Sequence, residues 1–144
     1  MKQLKKRIDL NTLTREQARV EIAKDVLAAL AVGKLKTGTR GTTAYLEVNN
    51  EMLPIRQAIL ETPACQVCAV GAIFAARVSR DPSYTLPRFD VDIYEGAERF
   101  FTYNELKDLE FEFEDNNVGS EKERTAVLTK QMNRIIANKG KSVY

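Results

Sequence analysis

Cys65–Val78, CQVCAVGAIFAARV, opens with a Cys-x-x-Cys pair just after Pro63. It then runs ten residues, Val67 to Ala76, with no polar side chain except the Cys68 thiol. A helix that is apolar all round has no face left for water, so the rest of the chain must wrap it. The run is too short for a bilayer, which takes about 20 residues. The stretch predicts a central buried helix at about 64–79, with the fold organised around it.

Upstream, Thr14-Arg15-Glu16-Gln17 has the form of a capping box, in which the Thr14 hydroxyl and the Gln17 amide satisfy free backbone groups at a helix start. Ile22, Ala23, Val26, Leu27 and Leu30 recur at helical spacing, and Gly33 is a natural residue beyond a helix end, which predicts a helix at about 15–32. Lys34 to Asn50, with its glycines and threonines, reads as a loop leading into a short extended piece at Tyr45–Val48. Met52, Ile55, Ile59 and Leu60 suggest a short helix at about 53–61, closed before Pro63. Residues 83–99 have no period and read as a long loop with a brief strand at Phe89 to Ile93.

Thr102-Tyr103-Asn104-Glu105 is a second capping box, and Tyr103, Leu106, Leu109 and Phe113 recur at helical spacing. The strict alternation from Leu109 to Glu114 is the competing strand signal, and helix is favoured. Ser120 can cap a last helix at about 121–138, with Thr125, Leu128, Met132 and Ile135 as its inner stripe. The expected architecture is mainly α: a single domain over 1–144, about five helices packed round the central one, and at most a short β element. A basic arm (1–13) precedes it and a short tail (139–144) follows.

Composition narrows the chemistry. Apolar residues make up 44% and charged residues 29% of the 144, as in ordinary globular domains, and histidine is absent. The commonest general base and the commonest neutral metal ligand are therefore missing, which weighs against an enzyme. No apolar leader with a cleavage site is present and two cysteines make no secreted scaffold, so a cytosolic setting is expected, with no membrane partner.

Net charge is only +2, yet residues 1–44 balance to +6, residues 120–144 to +4 and residues 45–119 to −8. Ten acids lie between Asp90 and Asp115. Ends and middle can neutralise one another or face different partners.

Cys65-Gln66-Val67-Cys68-Ala69-Val70-Gly71-Ala72 resembles the Cys-x-x-Cys-Ala-x-Gly-Ala signature of small uncharacterised proteins encoded by bacteriophages and bacteria. The likeness extends in the same order over about two thirds of the chain, through the helix from Thr14 to Leu30, the Phe101 to Phe113 helix and the ending Ile135 to Gly140. The tail Lys139-Gly140-Lys141-Ser142-Val143-Tyr144 departs from that pattern. The resemblance implies a phage-type origin and a helical fold, and it transfers no activity.

The candidate sites follow from residue chemistry. Cys65 and Cys68 read best as structural thiols, small soft residues in a tight core. A redox dithiol at a helix start is the alternative. A zinc site needs more ligands than one chain without histidine supplies, so no metal and no cofactor are expected. Asp90, Asp92, Glu95 and Glu98 lack the length and closing Glu of a calcium loop, but as part of the acidic run they suit a surface that meets a basic partner. Lys5, Lys6 and Arg7, with Lys36 and Arg40 of the Lys36–Thr43 loop, form the alternative anion-binding set, which lacks both interleaved aromatics and a P-loop ending. The leading expectation is a non-catalytic accessory protein that binds a host macromolecule, a protein first. A nucleic-acid or nucleotide-binding module comes second and a Cys-x-x-Cys redox protein third.

Overall fold

The computed structural model describes residues 9–38, 45–48, 51–54, 65–80, 100–115 and 120–141, with the backbone alone at 45–48, 51–54, 65, 66 and 78. The described chain is mainly helical. Its elements in order are a 3-10 turn (Leu10–Thr12), α1 (Arg15–Ala31), β1 (Leu35–Thr37), β2 (Tyr45–Val48), β3 (Glu51–Pro54), β4 (Cys65–Val67), α2 (Ala69–Arg80), α3 (Tyr103–Asp115) and α4 (Glu121–Ala137).

The capping chemistry sets the helix starts. Thr14 Oγ1 accepts from Gln17 N and the Gln17 side chain accepts from Thr14 N, so both halves of the box at α1 are made. The Thr102–Glu105 box at α3 is made in the same way. Ser120 caps α4 through Glu123 N. α1 ends with Gly33 at φ +76°, the left-handed conformation that a glycine adopts without strain.

α2 is the buried centre. Val67 to Phe74 are at most 3% exposed wherever the side chain is apolar. α1 and α3 pack against α2, and α4 packs against α1 and α3. Ile22 and Val26 of α1, Leu106, Leu109 and Phe113 of α3, and Leu128, Met132 and Ile135 of α4 complete the core. The strand reading of Leu109–Glu114 loses to this packing: Leu109 and Phe113, four residues apart, are buried, while Phe111 between them is 53% exposed.

The β content exceeds the expected short element. The four strands form one sheet in the order β1-β4-β2-β3. β1 runs parallel to β4, Leu35 opposite Cys65 and Thr37 opposite Val67, while β2 pairs antiparallel with both β3 and β4. Three readings are corrected by this sheet. Leu35–Thr37 is not loop, because it has β4 as a partner. The start of the expected helix at 53–61 is strand through Pro54, paired with Tyr45, and the remainder lies outside the described residues. The central helix begins at Ala69 instead of near 64, since Cys65–Val67 spends its backbone donors and acceptors on sheet partners. Five helices thus become four among the described residues. The Phe89–Ile93 strand lies outside them.

The arm and tail are partly built in. Leu10 is 4% exposed in the core, and Gly140 is buried against the first turn of α1.

Candidate functional site

Buried charge holds the helices together. Arg19 on α1 is 4% exposed. Its Nε donates to Phe100 O at 2.7 Å, Nη1 to Gly140 O at 3.1 Å and Nη2 to Glu105 Oε1 at 2.6 Å. Its guanidinium also lies 5.3 Å from the centre of the Phe101 ring. Burial pulls the Arg19 pKa down, and Glu105 and Glu16 oppose that. Arg80, at the end of α2, donates Nε to Asp25 Oδ2 at 2.5 Å and Nη2 to Asp25 Oδ1 at 3.0 Å, with Glu21 beside it at 3.4 Å. On the other side Arg134 of α4 grips Glu112 of α3 with both terminal nitrogens at 3.1 Å. Gln131 Nε2 reaches Leu109 O and Glu112 Oε1 at 2.9 Å each.

These ties divide the acidic run. Glu105, Glu110 and Glu112 turn into the fold. Asp108, Glu114 and Asp115 are exposed. Beside them stand Tyr103, 52% exposed, and Phe111, 53% exposed, on the outer side of α3. Lys107 places its ammonium 5.7 Å from the centre of the Phe111 ring. Residues 103, 107 and 111 are spaced by four, so they form one ridge with acids alongside. Tyr103, expected on the inner stripe, is therefore an outer residue: as the first residue of α3 it lies one turn beyond the core-facing Leu106. The exposed aromatic pair went unread in the sequence because the Leu109–Glu114 alternation offered a burial explanation for Phe111.

The expected site residues are distributed as follows. Asp90, Asp92, Glu95 and Glu98 lie outside the described residues, as do Lys5, Lys6, Arg7 and Arg40. Lys36 is exposed on β1. Arg80 and Phe100, which flank the 81–99 segment, line one shallow hollow together with Asp9, Leu10, Asn11 and Arg77. Arg80 and Phe100 thus lie close together on the fold. The cations of that hollow have work inside the fold, Arg80 with Asp25 and Arg77 over the Phe100 ring at 6.0 Å.

Of the two thiols, Cys65 has only its backbone described, in β4. Cys68 is buried between β4 and α2, and its Sγ accepts from Gly71 N at 3.3 Å. The pair straddles a strand-to-helix junction, with Cys65 in β4 where a helix start was expected, and the helical stretch expected before it, 55–60, lies outside the described residues. Burial, reinforced by the Glu110 carboxylate, pushes the Cys68 thiol well above the usual range, the reverse of what a reactive thiolate needs.

Glu110, part of the acidic run read from sequence as a surface, faces inward. It is 3% exposed, and its Oε1 accepts from Val70 N at the start of α2 at 3.2 Å. Among the described residues, no group of three or more Cys, Asp or Glu side chains is placed to hold a metal ion. No helix among them is long and apolar enough to cross a membrane. Comparison with protein-family models, with curated proteins and with solved structures finds no match to this chain.

Proposed function

We propose that the chain is a small phage- or prophage-type accessory protein that acts, without catalysis, by binding a basic surface of a host protein in the bacterial cytoplasm. The outer ridge of α3 is its contact face. The observation that carries this reading is Phe111, a large apolar side chain 53% exposed and flanked by the exposed acids Asp108, Glu114 and Asp115. Aromatic anchors ringed by charge are the chemistry of protein interfaces, where acids steer a basic partner and fix its register. Lys107 over the Phe111 ring supports the choice of partner, because an arginine or lysine from outside can occupy the same kind of position. In sequence, Asp90, Asp92, Glu95 and Glu98 belong to the same acidic run.

The test compares Phe111→Ala and the pair Asp108→Lys with Glu114→Lys against the unaltered protein in capture from a bacterial lysate. The reading requires one retained basic protein that is lost with both variants while far-UV circular dichroism is unchanged. Retention by both variants refutes it.

A second reading, phosphate or nucleic-acid binding, has one observation in its favour, the approach of the turn after α4 to the start of α1. Gly140 sits on the first turn of α1, which gathers Arg15, Lys139 and Lys141 at one end of the fold. Phosphate contact predicts affinity that falls steeply with salt, at about 0.9 in the logarithmic slope per contact on duplex DNA. An aromatic-centred protein contact gives a shallow slope.

A further inference from the structure

We propose that Glu110 is a protonation-operated latch between α3 and α2: neutral, it holds the two helices together, and ionised, it loosens them. The geometry carries this. Glu110 comes from the middle of α3, is 3% exposed, and has one oxygen bonded to the Val70 amide at the first turn of α2. Its other oxygen, Oε2, is buried without a hydrogen-bond partner. A buried carboxylate needs a cation or several donors to remain ionised, and a half-satisfied one takes up a proton instead.

No cation is in place to hold it ionised among the described groups facing it. From the α2 side come the Val70 amide and the Cys68 thiol, and from its own helix comes Glu114, itself an acid. From α4 the side chains reaching this part of α3 are Gln131, which is neutral, and Arg134, whose charge is spent on Glu112. Burial first, and Glu114 in addition, push Glu110 from 4.5 up to about 7, against the pull of Val70 N–H and the Cys68 thiol.

The direction of the pH response follows. A carboxyl that binds its proton more tightly when packed favours the packed state fully below about 4.5. That contribution is lost as pH rises from there to about 7, where the penalty is complete. A carboxylate that a cation holds ionised acts in the opposite sense. The latch therefore operates close to neutral pH, on the helix that also bears Tyr103 and Phe111.

Two measurements on the intact protein decide it. Carbon-13 titration of the side-chain carboxyls, with Glu110 assigned through Glu110→Gln, should give it a midpoint within about one unit of 7. A midpoint below about 5, the ordinary range, overturns the proposal. Amide protection of Leu106 to Phe113, corrected for intrinsic exchange, should fall about tenfold between pH 6 and pH 8, because a group with a packed pKa near 7 and an open one near 4.5 opens more readily by that factor. Glu110→Gln should remove this pH dependence, and its persistence in that variant overturns the proposal. If Glu110→Gln does not fold, Glu114→Gln serves in its place. It alters an exposed side chain and should lower the Glu110 midpoint, and an unchanged midpoint counts against the latch.

Discussion

Replacing Arg19 by Met keeps the length and apolar stem of the side chain and removes the guanidinium that joins α1, the entry to α3 and the turn after α4. Three acceptors lose their donor: Phe100 O, Gly140 O and Glu105 Oε1. Phe100 and Gly140 are themselves buried, so each carbonyl left without a partner costs about 1–3 kcal/mol. Glu105 is less exposed to harm, since its side chain is 20% accessible and still accepts from Thr102 N. The stem packing that Met retains offsets part of the loss. The expected destabilisation is about 3–5 kcal/mol, in line with breaking a buried charged pair from one side. For a chain of this size, that lowers the melting temperature by about 10 °C or more. Urea unfolding followed by circular dichroism measures it, with Glu105→Gln as the control. That variant preserves the capping geometry and loses only the charge, so it should cost about 1 kcal/mol. If Arg19→Met costs less than about 1 kcal/mol, the carbonyls find other donors and the guanidinium is not what joins these elements.

The two described glycines at positive φ give a matched pair. Gly140→Ala would set a Cβ 2.1 Å from Glu16 O and should cost about 3 kcal/mol or more, whereas Gly33→Ala meets open space and should cost about 1–2 kcal/mol of backbone strain alone; equal urea midpoints would contradict this. In a Cys65→Ala background, Cys68 should react with a thiol reagent at pH 8 no faster than the protein opens, because its thiol is buried with a raised pKa; rapid labelling of the native state would restore the redox reading. Phe111→Ala should change stability by no more than about 0.5 kcal/mol, as expected of an exposed site, so that any loss of partner capture is a binding effect; a large shift in the urea midpoint would show that the ring is part of the core.

The helices were legible because their signals are local. Thr14 and Gln17, Thr102 and Glu105, and Ser120 each act within one turn, and the stripes Ile22–Val26, Leu109–Phe113 and Leu128–Met132–Ile135 repeat at the period of the helix they build. The strands were not legible for the converse reason. Leu35–Thr37 is a strand because Cys65–Val67, nearly thirty residues on, supplies its ladder, and nothing within either tripeptide announces the other. Cys65–Val67 also continues into the apolar run of α2, so pattern alone cannot place the junction. Once the sheet is formed, α2 can start only after the chain leaves it at Val67, and Cys68 comes to lie against the Glu110 helix.

The charge pattern was legible as an excess of acid and misleading as a surface. Between Phe100 and Asp115 the chain has six acids, and a solvated helix would show most of them to water. Glu105 is drawn in by Arg19 from α1, Glu112 by Arg134 and Gln131 from α4, and Glu110 by the Val70 amide. Each partner comes from a different element, so sequence spacing could not have sorted them. Two of the three are answered by arginine. Glu110 meets the Val70 amide and the Cys68 thiol and no cation among the described groups facing it, and burial pushes its pKa up to about 7, where its charge is set by the proton instead of by a fixed counter-charge. The acids left outside, Asp108, Glu114 and Asp115, are fewer than the sequence suggested but lie beside Phe111, and Glu114 also acts on Glu110. A cation brought to Glu114 by a bound partner would weaken that action and favour ionised Glu110. Binding at the outer ridge should therefore release protons near pH 7, which calorimetry in buffers of different ionisation enthalpy detects. An unchanged apparent enthalpy across those buffers would show that the face and the latch are independent.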